Sequence, residues 1–204
     1  MESPGVGLRE RKKRQTRAAL VANGLRLFAE RGYDDVAVAE IAAAAGVSTR
    51  TFFGYFPHKA DVLFAGAHDR LAAIGPALAA QAAAGAEPVA GLRDALGAGL
   101  QATGEDLFGP HAHARMQLVL GRPDLQQRAT HLIVAAGGQL VRHLVEAYPD
   151  QYDTPGRTDA VALVGGLLGG VVAAVTHGVT QGHAPERIHD AVDGVFERFG
   201  RLYP

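Results

Sequence analysis

The sequence predicts an all-α protein of about nine helices, and three observations predict it. Apolar side chains recur at three- and four-residue spacing along most of the 204-residue chain. No stretch alternates apolar and polar residues with the period of two that a half-buried strand needs. Glycine and proline, which end helices, cut the helical runs from one another.

The elements follow in order. Leu20, Leu25, Leu27 and Phe28 lie among alanines and charges, so Arg11 to Glu30 reads as an amphipathic helix ended by Gly32. Val38, Ile41, Ala42 and Ala45 predict a short second helix that stops at Gly46. A hydroxyl at Ser48 or Thr49 can cap a third helix through Phe56, and Pro57 closes it. One long helix is expected from Lys59 to about Ala84. Further helices are expected at Pro88 to Thr103, His111 to about Leu120, Asp124 to Tyr148, Arg157 to about Gln181, and Glu186 to Leu202. The chain divides into residues 1–58, an arm and three short helices, and residues 59–204, a helical body.

Composition narrows the function. Hydrophobic residues make up 48% of the chain, enough to bury a core, so disorder is not expected. There is no cysteine, which excludes disulfides and thiolate metal sites. The basic N-terminal stretch lacks the apolar core of a secretion signal, and a cytoplasmic location is expected. Charge is uneven: residues 1–60 carry +4 and the rest −5, for −1 in all. A basic head on an acidic body suggests that only the head meets a polyanion.

The stretch AGVSTRTFFGYFPHK, residues 45–59, carries most of the information. Two short helices joined by Ala-Gly-Val-Ser form a helix-turn-helix, with motif bounds at about 37–56. Phe52 and Phe56, four apart, can anchor the second helix inward. Thr49, Arg50, Phe53 and Gly54 then fall on its exposed side. A helix fits the major groove of DNA, where arginine pairs with guanine and an aromatic edge meets a thymine methyl. Tyr55 and Lys59 suit phosphate contacts, as does the run Arg9, Arg11, Lys12, Lys13, Arg14, Arg17 upstream. The alternative is an ordinary helical hairpin with all four rings in the core.

The landmarks LFAERGYDDV, VAEIAAAAGVS and TRTFFGYFPHKADVLFA, between about Thr16 and Leu63, resemble the DNA-binding domain of the TetR family of transcriptional regulators. The resemblance implies a homodimer, a palindromic operator, usually repression, and a ligand-binding and dimerisation domain over residues 59–204. It places DNA contacts at Ser48, Thr49, Arg50, Phe53, Gly54, Tyr55 and Lys59, to which the basic arm adds Arg14 and Arg17. Two positions depart from the usual pattern. Ala37 stands where a capping hydroxyl is common, a loss of about 1 kcal/mol. Ala39 stands where a charged or polar residue is common, which shifts base reading toward Arg50 and the arm.

In the body, Ala160 to Thr176 has no charged residue, which raises the rival of a membrane span. Gly165 and Gly169, like Gly166 and Gly170, are four apart and would let helices approach closely. The resemblance places this helix and the last one, with Val192, Val195, Phe196 and Phe199, in a four-helix dimer interface. A ligand pocket is expected among the middle helices. Leu107, Phe108, Met116, Leu120, Leu132 and Leu140 offer apolar walls, and His68, His111, His113, Gln117 and His131 offer polar contacts. The body has no lysine beyond Lys59 and few arginines around its apolar middle. The inducer expected is therefore small and largely apolar, with one or two polar handles. RTFFGYFP and MQLVLGRPDLQQR resemble a branch of the family linked to acyl-CoA-like ligands.

His111 and His113 are two apart and point to different sides of a helix, so no metal site is expected. No HExxH, P-loop or GxSxG motif is present, and no enzyme activity or cofactor is expected. The rival functions are a DNA-binding dimer without a small-molecule ligand, and a small helical enzyme or carrier.

Overall fold

The structure is a computed structural model that describes residues 4–103, 110–152 and 157–203. Among these residues there is no strand; the chain forms ten α-helices and one 3₁₀ segment. It divides into two compact units, Met1–Ala65 and Gly66–Pro204.

The first unit contains α1 (Pro4–Arg31), α2 (Val38–Ala44), α3 (Thr49–Tyr55) and the 3₁₀ segment Lys59–Phe64. Its core is Leu20, Phe28, Val36, Ile41, Phe52, Phe56 and Leu63, all buried. The helix expected from Lys59 to Ala84 is two elements. Lys59–Phe64 packs on α1 and buries Ala60, Val62 and Leu63, and a turn at Ala65 and Gly66 precedes the next helix. This is why the unit ends seven residues beyond the break expected after residue 58. Helix α1 also starts seven residues earlier than expected, at Pro4. Proline suits a first turn, where its missing N–H would have no partner anyway. Residues 7–15 are exposed along this extension.

The second unit contains α4 (Ala67–Ala83), α5 (Pro88–Thr103), α6 (Pro110–Leu120), α7 (Pro123–Ala147), α8 (Pro149–Tyr152), α9 (Arg157–Thr180) and α10 (Pro185–Leu202). Helix α4 packs on α5 and α7, and α9 packs on α10 and α7. Ile74, Leu78, Leu92, Leu140, Leu144 and Leu163 are the centre of the core. On α9, Ala160, Leu163, Val164 and Leu167 face inward, the i, i+3, i+4, i+7 stripe of a packed helix. By length and composition, residues 158–180 could cross a bilayer, with a mean hydropathy of 1.9.

The glycine ridges of α9 separate by direction. A Cβ on Gly166 would lie 2.6 Å from the Phe199 ring, and one on Gly170 would lie 2.8 Å from Val195 Cγ1. These four residues therefore join α9 to α10 inside one chain. Val192 and Phe196 are likewise buried in the core of the unit, because the strongly amphipathic α10 turns its apolar stripe inward. Gly165 and Gly169 look outward with nothing within 4 Å of a Cβ. They share an exposed apolar face with Val161 and Val172, which are 54% and 38% exposed.

Candidate nucleic-acid interface and ligand cavity

The turn between α2 and α3 is built by the backbone. Gly46 has φ of +69°, a conformation that glycine adopts without a Cβ penalty. The Val47 N–H donates to Ala42 O at 2.9 Å and the Gly46 N–H to Ala43 O at 3.0 Å. This pair of bonds is a Schellman motif, which satisfies the last carbonyls of α2. Ser48 then caps α3, its Oγ accepting from the Thr51 N–H at 3.1 Å. Ala37 has no side-chain acceptor, but Glu40 replaces part of the missing cap. Its carboxylate accepts from the Ala37 N–H at 2.8 Å and from Arg31 Nη1 at 2.6 Å. The Arg31 bond, helped by the Ala37 N–H, holds the Glu40 carboxyl below its ordinary value.

The rings of α3 divide between core and surface. Phe52 is fully buried and Phe56 nearly so, their centroids 5.7 Å apart. Phe53 is 50% exposed and meets Phe52 edge-on at 5.6 Å. Ser48, Thr49, Arg50 and Gly54 are exposed, and Tyr55 is half-buried. Gly54 has nothing within 4 Å of a Cβ, so packing within the chain does not require a glycine there.

The structure also sorts the ten Lys and Arg residues of the first unit. Arg26 pairs with Glu30 at 2.8 Å, and Arg31 pairs with Glu40. Arg17 donates through Nη2 to Ala65 O and lies over the Phe56 ring, 5.5 Å from its centroid. Lys59 donates to Tyr33 O at 2.7 Å and Val36 O at 2.9 Å, with its ammonium 4.3 Å from the Tyr33 ring centroid. Arg17 and Lys59 thus tie parts of the first unit together. Their acceptors are the Tyr33 and Val36 carbonyls of the loop and the Ala65 carbonyl of the turn after the 3₁₀ segment. The remaining cations, Arg9, Arg11, Lys12, Lys13, Arg14 and Arg50, have no partner among the described residues.

In the second unit a cavity of about 660 Å³ opens among α4, α5, α6, α7, α9 and α10. Ile74, Leu92, Leu140, Val164, Leu167 and Phe196 form its apolar floor. Of the residues expected to bind a ligand, His68, Met116, Leu132 and Leu140 line it, and so does His113. Gln117, Leu120 and His131 do not, which is a correction. Met116 and Leu132 take the inward positions, and their neighbours Gln117 and His131 are rotated about 100° away into solvent. Gln117 instead meets His113 Nε2 at 3.1 Å. Leu107 and Phe108 lie outside the described residues, as does the side chain of His111. Three arginines also line the cavity, Arg70, Arg93 and Arg115, where few were expected. No group of three or more potential metal ligands occurs among the described residues.

Residues 20–65, which span the helix-turn-helix and its supports, match the family model described as bacterial regulatory proteins, tetR family. The first unit is therefore similar to the DNA-binding domain of TetR-family regulators. The TetR-family likeness is strongest in the first unit. There the chain is 47% identical over 58 residues to the HTH-type transcriptional regulator TcmR of Streptomyces glaucescens. That match covers 28% of this chain and 26% of TcmR, so the chain spans about a quarter of that relative's length in the match. The fold likeness extends further. A protein assigned to the TetR family of transcriptional regulators from Mesorhizobium loti aligns over 92% of this chain and 96% of its own, with TM-score 0.59 and 16% identity. The TetR-family repressor FadR of Thermus thermophilus, solved with lauroyl-CoA, aligns over 89% and 93%, with TM-score 0.51 and 24% identity. These two structures show the TetR-like fold.

Proposed function

We propose that the protein is a one-component transcriptional regulator, a repressor, that binds a palindromic operator as a homodimer and leaves it when a small molecule fills the body cavity. The observation that carries this reading is the sorting of cations. Arg50 stands unpaired on the exposed side of α3, beside Thr49, Phe53 and Gly54, while Arg17, Arg26, Arg31 and Lys59 are engaged inside the unit. An unpaired arginine on the second helix of a helix-turn-helix is placed to pair with a guanine edge. Ser48, Tyr55 and Arg14 suit the flanking phosphates.

The dimer would form through the outward face of α9, with Val161, Gly165, Gly169 and Val172 at its centre. Covering this face with a second copy would also account for the apolar character of α9 without a membrane, and the protein would act in the cytoplasm. Two α3 helices must lie about 34–36 Å apart to enter successive major grooves. A ligand that prefers another spacing with a coupling of ~1–3 kcal/mol would weaken DNA binding roughly 5–150-fold. The cavity has the size of a site for one small molecule. The lauroyl-CoA bound by the FadR fold relative supports an acyl-CoA-like inducer, with the apolar floor holding the chain. The relatives are regulators, and no catalytic role is assigned to any residue.

The test is a gel shift of the full chain with genomic fragments of its host. One or a few fragments should be retained, at two chains per site. Equal retention of all fragments, or of none, would contradict the reading.

A further inference from the structure

We infer that Gly97 on α5 is a specificity-determining residue of the cavity: it leaves the helix backbone bare where the widest part of the ligand lies, so the size of residue 97 sets how bulky a ligand is admitted. The inference rests on the proposal that the cavity is the inducer site, and it adds which wall limits the inducer's size. Glycine inside a helix is destabilising relative to alanine, so a mid-helix glycine needs a compensating reason. Helix α5 holds three of them. Packing explains two. A Cβ on Gly91 would run into the Tyr148 hydroxyl, and one on Gly99 would lie 3.0 Å from Arg70 O, a backbone atom of α4. Each lets a neighbour come close.

Gly97 differs. A Cβ there would meet nothing within 4 Å among the described residues, and its φ is not positive. Neither packing nor backbone conformation asks for a glycine. Gly97 lies instead on the face of α5 that lines the cavity, with Leu92, Arg93 and Leu96, and it is the one glycine among the described lining residues. It is half-buried, unlike Gly165 and Gly169, which stand exposed on the outer face of α9. A bare backbone on a cavity wall lets a ligand approach the helix more closely than any side chain would allow. Substitution should then move stability and binding in opposite directions. A glycine kept for packing would lose stability when replaced, and a glycine without a role would gain stability and leave binding unchanged.

The test compares the full-length parent, Gly97→Ala and Gly97→Leu by thermal melts and by calorimetric titration with two neutral probes. Progesterone is rigid and bulky; 1-octanol is short and flexible. Gly97→Ala should raise the melting temperature by about 1–4 °C. The parent should bind both probes. Gly97→Leu should weaken progesterone about tenfold or more, the effect of overfilling a packed site, and leave 1-octanol within about twofold. Gly97→Ala should weaken progesterone by a smaller factor, so the series stands even if the leucine variant folds poorly. A lower melting temperature for Gly97→Ala would return Gly97 to packing and overturn the inference. Equal loss of both probes in the variants, or loss of neither, would overturn it as well. A parent that binds 1-octanol but not progesterone would overturn the size assignment and leave the inducer site standing. Binding of neither probe would overturn the inducer site as drawn, and the inference with it.

Discussion

Glu40 joins α1 to α2 through one carboxylate, which takes a bond from Arg31 and another from the Ala37 N–H. Its pKa is lowered from 4.5, first by the Arg31 bond and then by the backbone bond. A depressed carboxylate contributes stability above its unfolded value and loses it as pH falls through the folded one. Glu40→Gln should therefore melt below the parent at pH 7 and close to it at pH 3. Equal differences at both values in thermal melts would remove the carboxylate from the account. Lys59 works in the same local way. Lys59→Ala would leave two carbonyls without their donor and should destabilise the unit by about 1–3 kcal/mol in urea unfolding; an unchanged midpoint would return Lys59 to the surface. The sequence showed which residues of α3 face outward, because an i, i+4 aromatic pair fixes the helix's inner side. It did not show that Lys59 and Arg17 are engaged, because their acceptors are carbonyls at Tyr33, Val36 and Ala65, distant in sequence and common to every residue.

At the scale of elements, α9 makes opposite claims on two adjacent glycines. Gly170→Leu drives a side chain into Val195 and should cost ~1–3 kcal/mol or more in stability. Gly169→Leu meets nothing within the chain, so it should leave the melting temperature unchanged while weakening the dimer. Sedimentation separates the two, and a stable dimer of Gly169→Leu would place the interface elsewhere. The extension of α1 makes a different prediction. Arg9, Arg11, Lys12, Lys13 and Arg14, at 100° steps, surround the helix instead of forming one face. Such a segment suits phosphates on more than one side and carries no base information. Replacing Arg9, Lys12 and Lys13 with glutamine should flatten the salt dependence of DNA binding by about 0.9 for each phosphate no longer neutralised. An unchanged slope in a salt titration would show that the extension does not touch DNA. Helix positions were legible from periodicity, and their ends were not. The start of α1 has Val6 and Leu8 but no recurring apolar stripe to mark it, and the break after Phe64 lies inside a continuous apolar run.

Across the molecule, the basic first unit and the acidic second unit match the proposed division between reading DNA and sensing a ligand. The helix-turn-helix was legible because its chemistry lies within fifteen consecutive residues. The cavity was mostly not, because six helices contribute to its wall and no local pattern records which of their faces meet. That is why Met116 was found and Arg70, Arg93 and Arg115 were not. The central claim is that the exposed face of α3 reads DNA sequence, and selection of bound sites from a random duplex library by the parent and by Arg50→Ala tests it most directly. The parent should enrich a two-fold symmetric site with half-sites one helical turn apart. Arg50→Ala should lose preference at one position in each half-site, at a cost of about 1–3 kcal/mol, and keep the rest. Identical motifs from the two proteins, or no enriched motif from the parent, would contradict the account.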